Sequence, residues 1–173
     1  MNKNEISRTK VFLVDFIFVV LLLVFDQFTK YLSIRNLKGK QPLVLIDGVL
    51  ELQYLENRGS AFGLFQGQKV MLLTIGIIFM LIILVLLIKI PLQKRYALLH
   101  ILFCSIIAGG VGNMIDRFRF DYVVDFISFV LINYPIFNVA DIYVVLACIG
   151  LLILFLFVYS DEELEFFDFR KRK

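Results

Sequence analysis

The stretch Asp125-Phe-Ile-Ser-Phe-Val-Leu-Ile-Asn-Tyr-Pro-Ile-Phe-Asn-Val-Ala-Asp141 sets two carboxylates on either side of a short loop, where two strongly apolar helical segments meet. Asp125 ends Tyr122-Val-Val-Asp125, and Asp141 opens an apolar run that continues to Tyr159. Within a membrane such residues are expensive: an Asp at the centre of a spanning helix costs roughly 2.5–3.5 kcal/mol, so an intramembrane carboxylate with a nameable partner is a functional-site hypothesis. Each of these is the other's natural partner. Two carboxylates held together cannot both ionise readily, so one is pushed toward its protonated form and the pair offers an acid and a base at one pH. That pairing can activate water, as in aspartic proteases.

The rest of the chain has a membrane composition. Of its 173 residues, 60% are hydrophobic and only 19% charged, and the mean hydropathy is +0.87, too apolar for a soluble domain of this size. The net charge of +3 comes from basic residues scattered between apolar runs rather than gathered in a stripe, which argues against nucleic-acid binding. Cys104 and Cys148 lie within apolar segments without metal-ligand spacing and read as packing residues. His100 stands alone without a serine motif or a second histidine and reads as structural. The reading calls for no metal and no cofactor.

Four spans follow from the apolar runs. The first, at about 11–32, has a basic lead-in but no small-residue cleavage site, so it reads as a retained helix rather than a removed signal. Near its end Asp26 and Lys30 lie one turn apart on one face, either as a plain ion pair or as a brace beneath the polar site. The second span is at about 70–90 and the third at about 96–117, followed by the fourth at about 135–159. The third carries Ala108-Gly-Gly-Val-Gly112, suited to close helix packing. Asn113 and Arg117 share a face beyond it, with Asp116 expected to turn aside and hold Arg117 locally. Between the first two spans, alternation and Asp47-Gly48 predict a β segment at about 41–63, whose far end offers Asn57 in a small-residue turn. The tail, 160–173, is acidic, then aromatic, then basic.

The basic residues divide ten to eight between the two sides, and the ten (Lys3, Arg8, Lys10, Lys89, Lys94, Arg95 and Arg170 to Lys173) are the more densely placed, which puts both termini in the cytoplasm. Asp26, Asn57, Asn113, Arg117, Asp125, Asn138 and Asp141 then converge near the outer face. The fold class is thus an all-α membrane protein with a small extracytoplasmic β element, one membrane-embedded domain over 1–173. Two other classes remain open from the residues: a proton-conducting or transport protein, and a non-enzymatic four-helix scaffold or lipid-binding module. A relay would spread ionisable groups over several depths, and the second span has none between Val70 and Ile88.

Across nearly its whole length the chain resembles bacterial lipoprotein signal peptidase, signal peptidase II. The resemblance rests on Asp26-Gln-Phe-Thr-Lys30, Asn57-Arg-Gly-Ser-Ala-Phe62, Gly109-Gly-Val-Gly-Asn113 with Asp116-Arg117, Val123-Val-Asp-Phe126 and Phe137-Asn-Val-Ala-Asp141. It implies an aspartyl endopeptidase of the bacterial inner membrane whose partners are membrane lipids and the signal peptide of a diacylglyceryl-modified prolipoprotein, cut before the lipidated cysteine; the chain is expected to act as a monomer. Asp125 and Asp141 would be the catalytic pair. Asn57, Gly59, Asn113, Arg117 and Asn138 would bind substrate, with Asp26, Lys30 and Asp116 in support. Family members usually carry glycine four positions before the first of these aspartates, where this chain has Asp121.

Overall fold

The structure, a computed structural model, describes residues 7–60 and 64–168. Four helices carry the fold: α1 (Arg8–Leu37), α2 (Lys69–Lys89), α3 (Ala97–Phe120) and α4 (Val139–Phe157). Each is long and apolar enough to cross a membrane; even the 19-residue α4 spans about 28 Å at 1.5 Å per residue, close to the hydrocarbon thickness. The exposed faces are apolar, as lipid-facing surfaces must be: Leu13, Phe16, Leu21 and Phe25 on α1, Ile75, Ile78 and Ile82 on α2, and Leu146, Ile149 and Leu152 on α4.

Helix α3 is the hub, packed against α1, α2 and α4. Its glycines set how near the others come. A Cβ at Gly109 would sit 2.5 Å from the Ala140 carbonyl oxygen and 2.7 Å from Val144 Cγ2, and one at Gly112 would sit 2.5 Å from Asp26 Oδ2. At Gly110 the neighbour is only the flexible end of Met80. Without a hydrophobic driving force between helices in lipid, this closeness is what makes their packing favourable. At the end of the bundle holding the start of α1 and the end of α4, Tyr96 stacks on Tyr159 and meets Phe166 edge-on, and Arg95 pairs with Glu163, with Nε–Oε1 2.9 Å.

The sheet sits at the opposite end. Strands β1 (Leu43–Ile46) and β2 (Leu50–Asn57) form a hairpin across Asp47-Gly48, with Gly48 at φ +66°. A third strand, β3 (Val123–Phe129), pairs antiparallel with β2 and places Asp125 opposite Leu55. This corrects the expectation that Asp125 lies on an apolar helical segment. β3 is rich in β-branched and aromatic residues and begins just after a left-handed residue ends α3, so pairing with β2, rather than a new helix, satisfies its backbone.

Helix α4 also begins later than 135. Residues before it bridge to β3, with Phe137 N donating to the Ile127 carbonyl at 3.0 Å and the Phe137 carbonyl accepting from Ile127 N at 2.8 Å. Asn138 then caps the helix in a reciprocal box: its Oδ1 accepts from Asp141 N, and Asp141 Oδ2 accepts from Asn138 N, both at 3.1 Å. Helix α1 starts before 11 and runs past 32 to Leu37, and α3 runs past 117 to Phe120. Ala61 to Gly63 and the basic tail end, Arg170 to Lys173, lie outside the described residues.

The glycine contacts make a paired prediction. Gly109→Ala should lower the thermal midpoint in detergent by the equivalent of about 1–3 kcal/mol of overpacking, whereas Gly110→Ala, facing only Met80, should be near neutral or slightly stabilising through helix propensity.

Candidate active site

Asp125 and Asp141 line one cavity of about 890 Å³ between the sheet, α2, α3 and α4, together with Asn57, Asn113 and Arg117. β3 carries Asp125, and Asp141 is the third residue of α4, so the β3–α4 bridge and the Asn138 cap hold the two carboxylates in register.

Neutral amides hold both. Asp125 Oδ2 accepts from Asn57 Nδ2 at 2.8 Å, and its Oδ1 accepts from Asn138 Nδ2 at 2.6 Å. Asp141 Oδ1 accepts from Asn113 Nδ2 at 2.8 Å. The orientation of each amide is set by its other bonds. Asn57 Oδ1 accepts from Gly59 N (3.0 Å), so its NH₂ must face Asp125. Asn138 Oδ1 accepts from Asp141 N, and Asn113 Oδ1 accepts from Lys30 Nζ (2.8 Å), a group that can only donate. Asn138 Nδ2 also reaches Asn113 Oδ1 at 3.1 Å, linking the grips on the two acids.

Asp125 is buried, 2% exposed. Burial, and then the neighbouring charge of Asp141, push its carboxyl up to about 7, against the lowering effect of the Asn57 and Asn138 hydrogen bonds. Arg117 donates through Nη2 to the Gly59 carbonyl at 2.9 Å, while its buried Nε has no partner among the described residues.

Beneath the cavity, Lys30 is 2% exposed and gives its ammonium to three acceptors: Asp26 Oδ2 at 3.0 Å, Asp116 Oδ2 at 2.9 Å and Asn113. Asp26 Oδ1 also accepts from Ala140 N in the first turn of α4, and Asp116 Oδ2 from Val124 N on β3, each at 3.1 Å. One cluster thus ties α1, α3, α4 and β3 together. Asp116 was expected to hold Arg117; it turns instead to Lys30 and Val124, because a buried carboxylate gains more from a cation and a free backbone N–H than from a guanidinium already directed at Gly59. Gln27, not singled out from sequence, bonds Asp26 Oδ2 at 3.2 Å and Asp116 Oδ1 at 3.0 Å. Its signal was its place beside Asp26 at the polar end of an otherwise apolar helix.

Asp121, where the resemblance led to an expectation of glycine, ends α3 at φ +66°, the left-handed region glycine favours. Its exposed carboxylate pairs with Lys69, which holds it below the usual carboxylate range, and it does not line the cavity.

The fold and cavity define a multi-pass membrane protein with two carboxylates lining one cavity beneath a small sheet. A family model described as signal peptidase (SPase) II matches residues 18–158. The lipoprotein signal peptidase of Enterococcus faecalis is 35% identical over 155 residues, covering 90% of this chain and 93% of that protein. That of Caldanaerobacter subterraneus is 38% identical over 142 residues, covering 82% and 95%. Two solved structures of bacterial membrane enzymes superpose with a TM-score of 0.71, at 26% identity over 100% of this chain and 27% over 92%, in each case with 99% of the solved chain covered. The chain belongs to the signal peptidase II family and is a membrane protease.

Two substitutions probe the frame. Lys30→Met leaves Asp26 and Asp116 buried without a counter-charge and should destabilise by about 3–5 kcal/mol, read as lowered thermal unfolding. Asp121→Gly removes a left-handed non-glycine residue at the loss of one exposed ion pair, so the thermal midpoint should hold or rise slightly, with peptidase activity unchanged.

Proposed function

We propose that this protein removes the signal peptide from diacylglyceryl-modified prolipoproteins, cutting before the lipidated cysteine through water activated by Asp125 and Asp141. The observation that carries this reading is the sharing of one cavity by two carboxylates, each held by asparagine amides, one of them pushed up to about 7. Family membership and the relatives' shared name, lipoprotein signal peptidase, support the substrate class.

The reaction needs one proton on the pair. The raised Asp125 favours that residue as its carrier at neutral pH, leaving Asp141 to take a proton from water. The water oxygen bonds to the scissile carbonyl carbon, and the carbonyl oxygen receives the proton from Asp125. On collapse the C–N bond breaks and the amine leaves with a proton returned through the pair, so no covalent enzyme intermediate forms. Arg117 Nε, without a partner among the described residues, and the asparagine amides are suited to backbone carbonyls of an extended peptide, whose polar groups need partners in an apolar setting. Asn57, Gly59, Asn113, Arg117 and Asn138 are thus assigned to substrate binding and orientation.

Helices α2 and α4 both pack on α3, with the cavity and its apolar walls at Leu72, Phe79 and Val144 between them. A signal helix and a diacylglyceryl group would enter there from the bilayer. We orient the bundle with both termini in the cytoplasm and the cavity near the extracytoplasmic face of the inner membrane, acting as a monomer in contact with membrane lipids. The denser basic residues at the terminal end support this orientation.

Asp125→Asn and Asp141→Asn, purified in detergent and shown folded by thermal unfolding, should each lose turnover of a diacylglyceryl-modified prolipoprotein by about 10²–10⁴-fold or more. Near wild-type cleavage by either folded variant would refute the assignment. With Asp125 raised to about 7, loss of the shared proton should cut wild-type kcat/KM by about tenfold per unit as pH rises above the alkaline limb near neutrality. The same raised value means that the folded state holds a proton the unfolded chain has released between the ordinary carboxylate range and about 7. Its contribution to stability is therefore lost as pH rises through that window, and the thermal midpoint of Asp125→Asn relative to wild type should improve from about pH 5 to about pH 8.

A further inference from the structure

A second cavity, of about 290 Å³, lies at the other end of the bundle, between the start of α1 and the start of α3. Asp125 and Asp141 take no part in it. Its walls include Val14, Asp15, Ala97 and His100, and Lys10 and Lys94 stand at its edge. Both lysines are exposed, and neither makes an ion pair among the described residues, in contrast to Arg95 beside them, which is taken by Glu163. Inside, His100 is 4% exposed, and its Nδ1 lies 2.7 Å from Asp15 Oδ2, so the one acid of the cavity is occupied by the ring. His100 Nε2 is buried with no hydrogen-bond partner among the described residues. A buried ring nitrogen without a partner is a costly feature that a ligand can relieve.

We propose that this cavity binds one anionic phospholipid, an acyl chain seated against Val14 and Ala97 and its phosphodiester between Lys10 and Lys94. The occupant follows from the chemistry of the walls. An apolar groove at the end of membrane-spanning helices suits an acyl chain, and a free phosphate would have nothing to place there. The two unpaired lysines at the edge select a negative headgroup. His100 lies six residues into the chain from Lys94, about 9 Å deeper along a helix, at the depth of the glycerol esters. His100 keeps Nδ1 on Asp15 and offers Nε2 to the polar glycerol region of the lipid. Both ends of the polar part of the lipid then have a partner, and the apolar part has a slot.

The test is lipid binding to the full-length protein purified in detergent, read by native mass spectrometry, with dioleoyl phosphatidylglycerol, dioleoyl phosphatidylcholine and inorganic phosphate as separate probes. Wild type should retain one phosphatidylglycerol in preference to phosphatidylcholine, and inorganic phosphate should not displace it. Lys10→Gln with Lys94→Gln should weaken phosphatidylglycerol binding by about fivefold per lysine, about 25-fold together, with prolipoprotein cleavage unchanged. Ala97→Trp keeps both lysines but fills the groove from its exposed rim, and should abolish the preference. If Ala97→Trp binds phosphatidylglycerol as wild type does, the lysines act only as a charged surface and the cavity is not the site. Equal retention of phosphatidylcholine, or displacement by inorganic phosphate, would equally overturn the proposal.

Discussion

The buried ammonium of Lys30 is the interaction on which the rest depends. Its three acceptors come from α1 and α3, and through Asp26 and Asp116 it also fixes the first turn of α4 and the start of β3. A charge in so apolar a setting is tolerated only when its hydrogen-bonding directions are filled and its charge answered, and here both conditions hold. Gly112 allows the cluster to form, because any side chain there would occupy the place of Asp26 Oδ2. Helix packing and polar anchoring are therefore one constraint: α3 must be bare where α1 delivers its acid.

From this anchor the cavity inherits its order. Lys30 orients Asn113, Asn113 grips Asp141, and Asn138 joins Asn113 to Asp125. The cation thus stops one residue short of the acids, and amides make the direct contacts. A lysine or arginine bonded to either carboxylate would hold it ionised, whereas amides orient it and leave its proton affinity high. The raised Asp125 is the outcome of that arrangement, in which burial and Asp141 outweigh two hydrogen bonds.

Much of this was legible in the residues, and the gaps have physical causes. Asp125 and Asp141 stood out because acids are costly in apolar runs, and Asp26 with Lys30 because a four-residue spacing on a helix is a local rule. The role of Asp116 was misread because its partners, Lys30 and the backbone of Val124, are set by tertiary packing rather than spacing. β3 was taken for part of a helical run because, in an apolar chain, a strand covered on both faces shows no alternation; Val123 to Phe126 are all buried. Once β3 and its bridge to Phe137 are in place, the late start of α4 at Asn138 follows. Asp121 ends α3 in a glycine-like conformation, an outcome that the departure from the family pattern pointed to without deciding.

The central claim is that Asp125 and Asp141 are electrically coupled within one cavity. It is tested most directly by titrating ¹³C-labelled aspartate carboxyls by NMR in wild type and in Asp141→Asn. Asp125 should titrate at about 7 in the wild type and move down in Asp141→Asn, though not to the ordinary carboxylate range, since burial is the larger cause and remains. An Asp125 that titrates as an ordinary carboxylate in the wild type, or is unmoved by loss of the Asp141 charge, would contradict the account.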